Sequence, residues 1–471
     1  MHEPGRPGGR ITLRSGEQRL LLVIGDFLMA LVATFVALAL WAQLDWFGFS
    51  LDFLRHRVGW FVLLPVAWLL LMANLYDIRA ASSIRETLRG VILAAGGGVL
   101  LYTILYFTSE PGSLPRRAVL YFLVTVVVLT LLWRWIYIRI FTGRTFMRRV
   151  VIVGAGETGS ALLELINRSN PHPFLVVGLI DDDAAKHDLE IEGFPVLGGN
   201  ADLLNIVKEE RISDLIVAIQ GPMQGAMFRA LLDAQERGVE ITRMPVAYEE
   251  LAGRVPIEHL EADWLLRSFV DEVRAGGLYL LSKRAMDLIG AILGLLILAL
   301  LYPWLALAIS LDSGRPIMVS QTRIGRGGHP FNVAKFRTMV QDAEEDGIAH
   351  WAKEDDPRKT RVGRILRKAH LDEFPQFFNV FRGEMSLVGP RPERPELVAE
   401  LEDEIPFYRA RLLVKPGIGG WAQVNYGKGA SIHGSAEKLE YDLYYIKHRN
   451  LLLDVWIVLR SIGQAVGLRG V

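Results

Sequence analysis

Residues 20–42, LLLVIGDFLMALVATFVALALWA, are predominantly apolar over the length of about 20 residues that a helix needs to cross a bilayer. Three further runs of this kind lie at 59–76, 90–108 and 118–138. No other feature constrains the fold as strongly, because a backbone in hydrocarbon must satisfy its own N–H and C=O groups and is therefore helical. A helix buried in a protein core is the competing explanation for any one run. Composition favours the membrane: the chain has 471 residues, is 51% hydrophobic and has a mean hydropathy of +0.27. That is more apolar than an ordinary cytosolic enzyme, with room for two or three domains. The first residues, MHEPGRPGGRITLRSGEQR, show no cleavable signal pattern, so the first run is expected to remain as a span.

Orientation follows from Lys and Arg in the short flanks. Arg6, Arg10, Arg14 and Arg19 precede the first run, Arg79, Arg85 and Arg89 separate the second from the third, and Arg139, Arg144, Arg148 and Arg149 follow the fourth. The opposite loops hold only Arg55, Arg57, Arg116 and Arg117. Both ends of the bundle are therefore expected in the cytoplasm. Lys+Arg and Asp+Glu balance at 52 each, so bulk charge points to no particular partner, and no nucleic acid is expected. The absence of cysteine excludes disulfides, thiolate metal sites and cysteine nucleophiles.

From Arg148 the pattern changes to strand, glycine turn and helix in RRVVIVGAGETGSALLELI. Gly154, Gly156 and Gly159 match G-x-G-x-x-G in the context that the dinucleotide fingerprint requires. FLVVGLIDDD then ends in Asp181, Asp182 and Asp183, where a ribose-binding acid would sit. Further strands are read at 214–220 and 239–246 with helical runs between them, which implies a parallel, Rossmann-like sheet. The glycines equally serve tight turns and close helix packing, so NAD or another nucleotide is one of two readings. Tyr279 and Lys283 form Y-x-x-x-K, the pair used by short-chain dehydrogenases, but they lie beyond the last strand and beside the next apolar run.

That run, LIGAILGLLILALLYPWLALAI at 288–309, is again long enough to span. Its flanks are basic on both sides, with Lys283 and Arg284 before it and Arg315, Arg323, Arg326, Lys335 and Arg337 after it. Both ends therefore belong in the cytoplasm. Pro303 lies inside the run, where it removes a donor and kinks a helix. A re-entrant helix-break-helix is expected, entering one leaflet and returning.

The remaining chain holds the chemistry. In QTRIGRGGHPFNVAKFRTM (321–339) a glycine turn precedes a strand with Lys335 and Arg337 on one face; binding to anionic lipid is the plainer explanation for those charges. In LRKAHLDEFPQFFNVFRGEMSLVGPRP (366–392), Phe374, Phe377, Phe378 and Phe381 fall at i, i+3, i+4 and i+7, one helical stripe for a core or a headgroup layer. Pro375 is tolerated in a first turn, so a helix is expected to begin near Asp372, with Asp372 and Glu373 at its N-terminus, where anions are favoured. Arg361, Arg364, Arg367 and Lys368 precede the acids, and a rigid turn, Gly389-Pro390-Arg391-Pro392, follows them. Arginine forks bind phosphate oxygens in pairs. One carboxylate amid them can hold a divalent cation, and the other can attack phosphorus. The residues alone thus indicate metal-assisted phosphoryl chemistry at a membrane surface.

These motifs, with PGIGGWAQVNYG at 416–427, resemble the bacterial sugar transferase domain of monotopic phosphoglycosyl transferases, the polyprenyl-phosphate hexose-1-phosphate transferases. The resemblance covers 281–471, and four spans with a Rossmann-like domain make it similar to the large form of that family. It implies transfer of a sugar-1-phosphate from a UDP-sugar to undecaprenyl phosphate with release of UMP, initiating exopolysaccharide, capsule or O-antigen synthesis. It implies Asp372 as the nucleophile of a covalent phosphosugar intermediate and Glu373 as the ligand of Mg²⁺, with Mn²⁺ as a substitute. Arg367 and Arg391, flanked by Pro390 and Pro392, would hold phosphates, with Lys335 and Arg337 as helpers. Phe407, Tyr408, Trp421, Gln423, Asn425 and Tyr426 would shape the sugar end or simply pack. One departure is Tyr302-Pro303 where the family often carries Ser-Pro.

The expected fold is a membrane protein of α + α/β class. It comprises a four-helix transmembrane bundle (1–145), a Rossmann-like parallel-sheet domain (146–265), a linker and re-entrant membrane helix (266–312) and a mainly helical catalytic domain (313–471). The expected location is the bacterial inner membrane, multi-pass, with the catalytic domain on the cytoplasmic face and membrane lipids and a homodimer partner as neighbours. A membrane-bound NAD-dependent nucleotide-sugar oxidoreductase or epimerase, and a non-catalytic nucleotide-sensing protein, are the competing functions. For the middle domain itself, a regulatory or dimerising role is the expected one.

Overall fold

The apolar runs fold as helices in the computed structural model. These are α1 (Ser15–Leu44), α2 (Trp60–Leu71), α3 (Ile84–Thr108) and α4 (Arg116–Phe141). The structure describes residues 15–44, 49–76, 81–108, 116–141, 148–169, 172, 174–221, 223, 225–260, 276–340, 358–426 and 431–465. It divides into two units, Met1–Ala247 and Tyr248–Val471.

In the first unit, small residues let the helices approach. Ala30, Ala33 and Ala37 of α1 share one buried cluster with Trp68 of α2, Val91 and Ala94 of α3, and Phe122 and Val126 of α4. Among them Arg134 of α4 and Asp26 of α1 form a fully buried ion pair at 2.6 Å, and Arg134 also donates to the Leu75 carbonyl. A buried charge pair with its extra hydrogen bond filled specifies one register of the helices. Among the described residues three helical segments are long and apolar enough to cross a membrane: Glu17–Leu44, Arg117–Ile140 and Gly277–Ser313. The second expected run is shorter than its sequence implies. Helix α2 has 12 residues, about 18 Å at ~1.5 Å per residue, and gives way to a 3₁₀ turn at Ala73–Tyr76.

Four parallel strands follow: β1 (Arg149–Val153), β2 (Leu175–Ile180), β3 (Asp214–Val217) and β4 (Glu240–Arg243), in the order β2-β1-β3-β4. Val153 pairs with Ile180 on one side and Val217 on the other. The β1 turn leads into α5 (Glu157–Arg168). Gly154 has φ +115 with a Cβ position 2.8 Å from the Ala218 carbonyl, and at Gly159 a Cβ would lie 2.2 Å from the Gly154 carbonyl. These two glycines are explained by the turn and by helix approach.

The second unit is built around α6 (Gly277–Ser313), a helix of 37 residues. Its first turns are bonded to the unit at Lys283 and Asp287, and its last at Asp312 and Ser313. Helical geometry runs on through the expected break at Pro303, with the proline inside the helix. A proline removes a single N–H, and the turns on either side keep theirs. A hairpin of β5 (Met318–Ile324) and β6 (Pro330–Phe336) packs beside it, followed by α7 (Arg361–Lys368). A 3₁₀ turn (Leu371–Gln376) leads into α8 (Phe377–Arg382). The short strand β7 (Ser386–Val388) pairs in parallel with β8 (Gly417–Gly419). The helices α9 (Ile432–His448) and α10 (Leu451–Ala465) close the unit, with Leu439, Leu443, Tyr445, Ile446 and Ile457 in the main core with Val388.

Candidate active site

The two acids are set by a 3₁₀ turn rather than by an α-helix N-terminus. His370 enters the left-handed region at φ 55, the chain turns through Leu371–Gln376, and α-helical geometry begins only at Phe377. The three-residue period of the turn also splits the phenylalanine stripe. Phe374 and Phe377 pack edge to face at 5.5 Å, whereas Phe378 and Phe381 are exposed.

Asp372 and Glu373 are both buried, yet their surroundings differ. Glu373 Oε1 accepts from Lys335 Nζ at 3.1 Å and from Arg391 Nη2, and Oε2 accepts from Arg391 Nη1 at 3.2 Å. Burial opposes ionisation of Glu373, but Arg391 and Lys335 outweigh it and hold the carboxyl well below the usual range. Asp372 has no hydrogen-bond or ion-pair partner among the described residues. Burial and the neighbouring Glu373 charge raise its carboxyl above the ordinary aspartate value, against Lys335, Arg367 and Arg391. The anion preference of a helix N-terminus therefore does not govern Asp372.

Arg367 reaches this site from α7, which starts at Thr360, whose hydroxyl accepts from the Gly363 amide. At Gly363 a Cβ would lie 2.2 Å from the Thr338 carbonyl, so glycine lets α7 lie directly on the end of the β6 segment. Arg367 Nε then donates to Thr338 Oγ1 at 2.9 Å. Lys335, Arg367, Arg391 and both acids are thus brought together. Arg337 is not among them: its guanidinium donates to the carbonyls of Ser313, Gly314 and Arg315 and terminates α6. Pro390 and Pro392 flank Arg391, and their carbonyls accept from Gly417 N and Arg323 Nη1.

Other anticipated residues pack. Trp421 stacks on Tyr444 and donates to the Gly253 carbonyl, Gln423 donates to Ile418, and Asn425 accepts from Arg460. Tyr426 lies beside Tyr441, Tyr408 is buried beside Arg411, and Phe407 is part-exposed with φ 62. Tyr279 and Lys283 both bind Asp454, and Lys283 also binds the Tyr445 hydroxyl, so this pair anchors α6 to α10. In the first unit, Asp181 accepts from Ala155 N in the glycine turn, from Asp183 N and from Lys186. Burial raises its carboxyl, but those donors win and lower it. Gly156 alone of the three turn glycines has open space at its Cβ position.

Asp372 and Glu373 provide the hard oxygens that Mg²⁺ takes, usually one or two carboxylates completed by phosphate oxygens and waters. No group of three or more His, Cys, Asp or Glu suited to a metal occurs among the described residues. The donor set fits a metal completed by the phosphates of a substrate rather than caged by protein alone. Sequence patterns missed Arg411 and Asp442 beside the Pro390–Pro392 turn and read Arg323 only as a basic flank; nothing local marks their place there, since they come from a 3₁₀ segment at Tyr408–Leu413, from α9 and from β5.

Residues 278–467 match the bacterial sugar transferase family, and residues 71–245 match a CoA-binding domain. The chain is 33% identical over 390 residues to the undecaprenyl-phosphate glucose phosphotransferase of Komagataeibacter xylinus, covering 79% of this chain and 70% of that one. It is 44% identical over 214 residues to the UDP-N-acetylgalactosamine-undecaprenyl-phosphate N-acetylgalactosaminephosphotransferase of Aeromonas hydrophila, covering 45% of this chain and 49% of the relative. A UDP-glucose:undecaprenyl-phosphate glucose-1-phosphate transferase of Xanthomonas campestris pv. campestris is 28% identical over 335 residues, 68% of this chain and 67% of that one. The matched region is thus about half of the Aeromonas protein's length and a larger share of the other two.

Proposed function

The chain belongs to the bacterial sugar transferase family, and from that premise we propose that it moves a sugar-1-phosphate from a UDP-sugar to undecaprenyl phosphate, releasing UMP. The observation that carries this reading is the pair of adjacent buried acids with different electrostatics: Glu373 is ion-paired to Lys335 and Arg391, whereas Asp372 has no ion pair among the described residues and a raised carboxyl. A carboxylate not tied into an ion pair is the better nucleophile. An Asp372 oxygen attacks the phosphorus that bears the sugar, the P–O bond to UMP breaks, and UMP leaves. An oxygen of undecaprenyl phosphate then attacks the same phosphorus, the bond to Asp372 breaks, and the carboxylate is restored.

Arg391, Lys335 and Arg367 offset the charge that two phosphates bring to the site. Glu373 would hold Mg²⁺, which when bound would neutralise phosphate charge and favour departure of UMP. The same geometry supports a re-entrant reading of α6. A single folded unit bonds its first turns at Lys283 and Asp287 and its last at Asp312 and Ser313, which favours both ends on the cytoplasmic face with a bend at Pro303 between them. With helices of the first unit spanning, the protein is multi-pass.

A regulatory or assembly role for the parallel-sheet region is favoured by Asp181. The acid placed to bind a ribose is instead engaged by the glycine turn and Lys186. Gly156→Val should then alter regulation or assembly and leave the chemistry in place.

The test uses membranes carrying the full chain, undecaprenyl phosphate, Mg²⁺ and a panel of UDP-hexoses, with UMP as the readout. One UDP-hexose should yield UMP, and Asp372→Asn should abolish this without loss of folded protein. Release of UDP, or persistent turnover by Asp372→Asn, refutes the reading.

A further inference from the structure

The turn that presents Arg391 is unusual in how it is held. Pro390 and Pro392 have no N–H, so the segment can be fixed chiefly through its carbonyls. All four carbonyls from Pro390 to Glu393 accept hydrogen bonds from outside the turn. Gly417 N donates to Pro390 at 3.0 Å, Arg411 Nη2 to Arg391 at 2.9 Å, Arg323 Nη1 to Pro392 at 3.3 Å and Ile324 N to Glu393 at 3.0 Å. The bond to the Arg391 carbonyl sets the peptide plane from which the Arg391 side chain departs.

Arg411 is itself locked. Its guanidinium donates to Asp442 Oδ2 at 3.0 Å and to the Tyr408 hydroxyl as well as to the Arg391 carbonyl. Arg411 and Asp442 retain 7% and 2% of their side-chain exposure. Stability alone gives little reason for this arrangement, since replacing a buried ion pair by apolar side chains is often neutral or stabilising. What an arginine provides and an apolar residue does not is a rigid fork of donors that serves several acceptors at once.

We propose that Arg411, fixed by Asp442 and Tyr408, is a positioning residue that aims the Arg391 guanidinium at the donor phosphates. This inference rests on the reading of Arg391 as a phosphate-binding residue. Arg411 touches no reacting atom; it acts through the peptide plane of Arg391. The guanidinium of Arg391 also lies on Glu373, so a displaced turn would loosen the acid pair from one side.

A double-mutant cycle tests it in membranes carrying the full chain, with UMP release measured against the UDP-hexose that the wild type turns over fastest. Arg391→Ala alone should lower kcat/KM. Arg411→Met alone should lower it about tenfold to a hundredfold, the loss of one charge-assisted hydrogen bond read through its target, with KM for the UDP-hexose rising. In the Arg391→Ala background the same change should cost less than about threefold, because coupled residues are not additive. Independent, additive losses, or a silent Arg411→Met, overturn the proposal and leave the phosphate reading of Arg391 intact. A silent Arg391→Ala removes that reading and this inference together. Should Arg411→Met fail to fold, Asp442→Asn and Tyr408→Phe keep the arginine and run the same cycle, with the same outcomes deciding.

Discussion

Lys335 Nζ lies 3.1 Å from Glu373 Oε1, across 38 residues of sequence, with both side chains largely buried. Arg391 shares the same carboxylate. Removing one member of such a set leaves the others charged and unpaired in a poorly solvated place, which costs about 3–5 kcal/mol. Glu373→Gln should therefore destabilise the second unit by that order, seen in chemical unfolding of the detergent-solubilised protein. A change below about 1 kcal/mol, the level of an exposed pair, would count against the geometry.

The raised carboxyl of Asp372 has a kinetic consequence. The nucleophile works as the carboxylate, so activity is retained above the folded-state pKa and lost as pH falls through it. Because burial and Glu373 move that pKa upward, the acid limb of kcat/KM should lie above the ordinary aspartate value of about 3.9. Glu373→Gln removes the neighbouring negative charge and also frees Arg391 and Lys335; both changes should shift any residual acid limb downward. A limb that moves upward would contradict the assignment.

Metal dependence should follow the donor set. With no protein cage of three ligands among the described residues, Mg²⁺ should raise the thermal transition little by itself and measurably more when UDP is present. EDTA should abolish UMP release, and added Mg²⁺ or Mn²⁺ should restore it. A large shift with Mg²⁺ alone would point to a metal site elsewhere.

The chain contains no cysteine, so membrane topology is open to single-cysteine labelling without background. Gly276 and Arg315 bracket α6, and both are exposed. Gly276→Cys and Arg315→Cys should react with an impermeant maleimide from the cytoplasmic side in inverted vesicles, and neither in intact, sealed cells. Labelling from opposite sides would mean that α6 crosses.

Much of this was written locally. Hydrophobic length marked α1, α4 and α6, because a bilayer-sized apolar helix depends on nothing beyond its own residues. The glycine turn and the alternation of apolar strands marked the parallel sheet for the same reason. The dyad and Gly389–Pro392 were legible as unusual chemistry in a short window. Arg337 shows the limit: strand periodicity puts it on the face of Lys335, yet its bonds go to the end of α6. Tyr279 and Lys283 match a catalytic spacing and serve Asp454 instead.

By itself, then, the sequence determined where helices and strands form and which side chains are chemically able to act, since those depend on local sterics and on periodic burial. Tertiary structure alone decided which acid is neutralised and which is left with a raised carboxyl. It also decided that Arg411 and Arg323 fix the turn presenting Arg391. Burial and Coulomb interaction act through distance in space, and residues 18 to 69 positions apart become neighbours only when the chain has closed on itself.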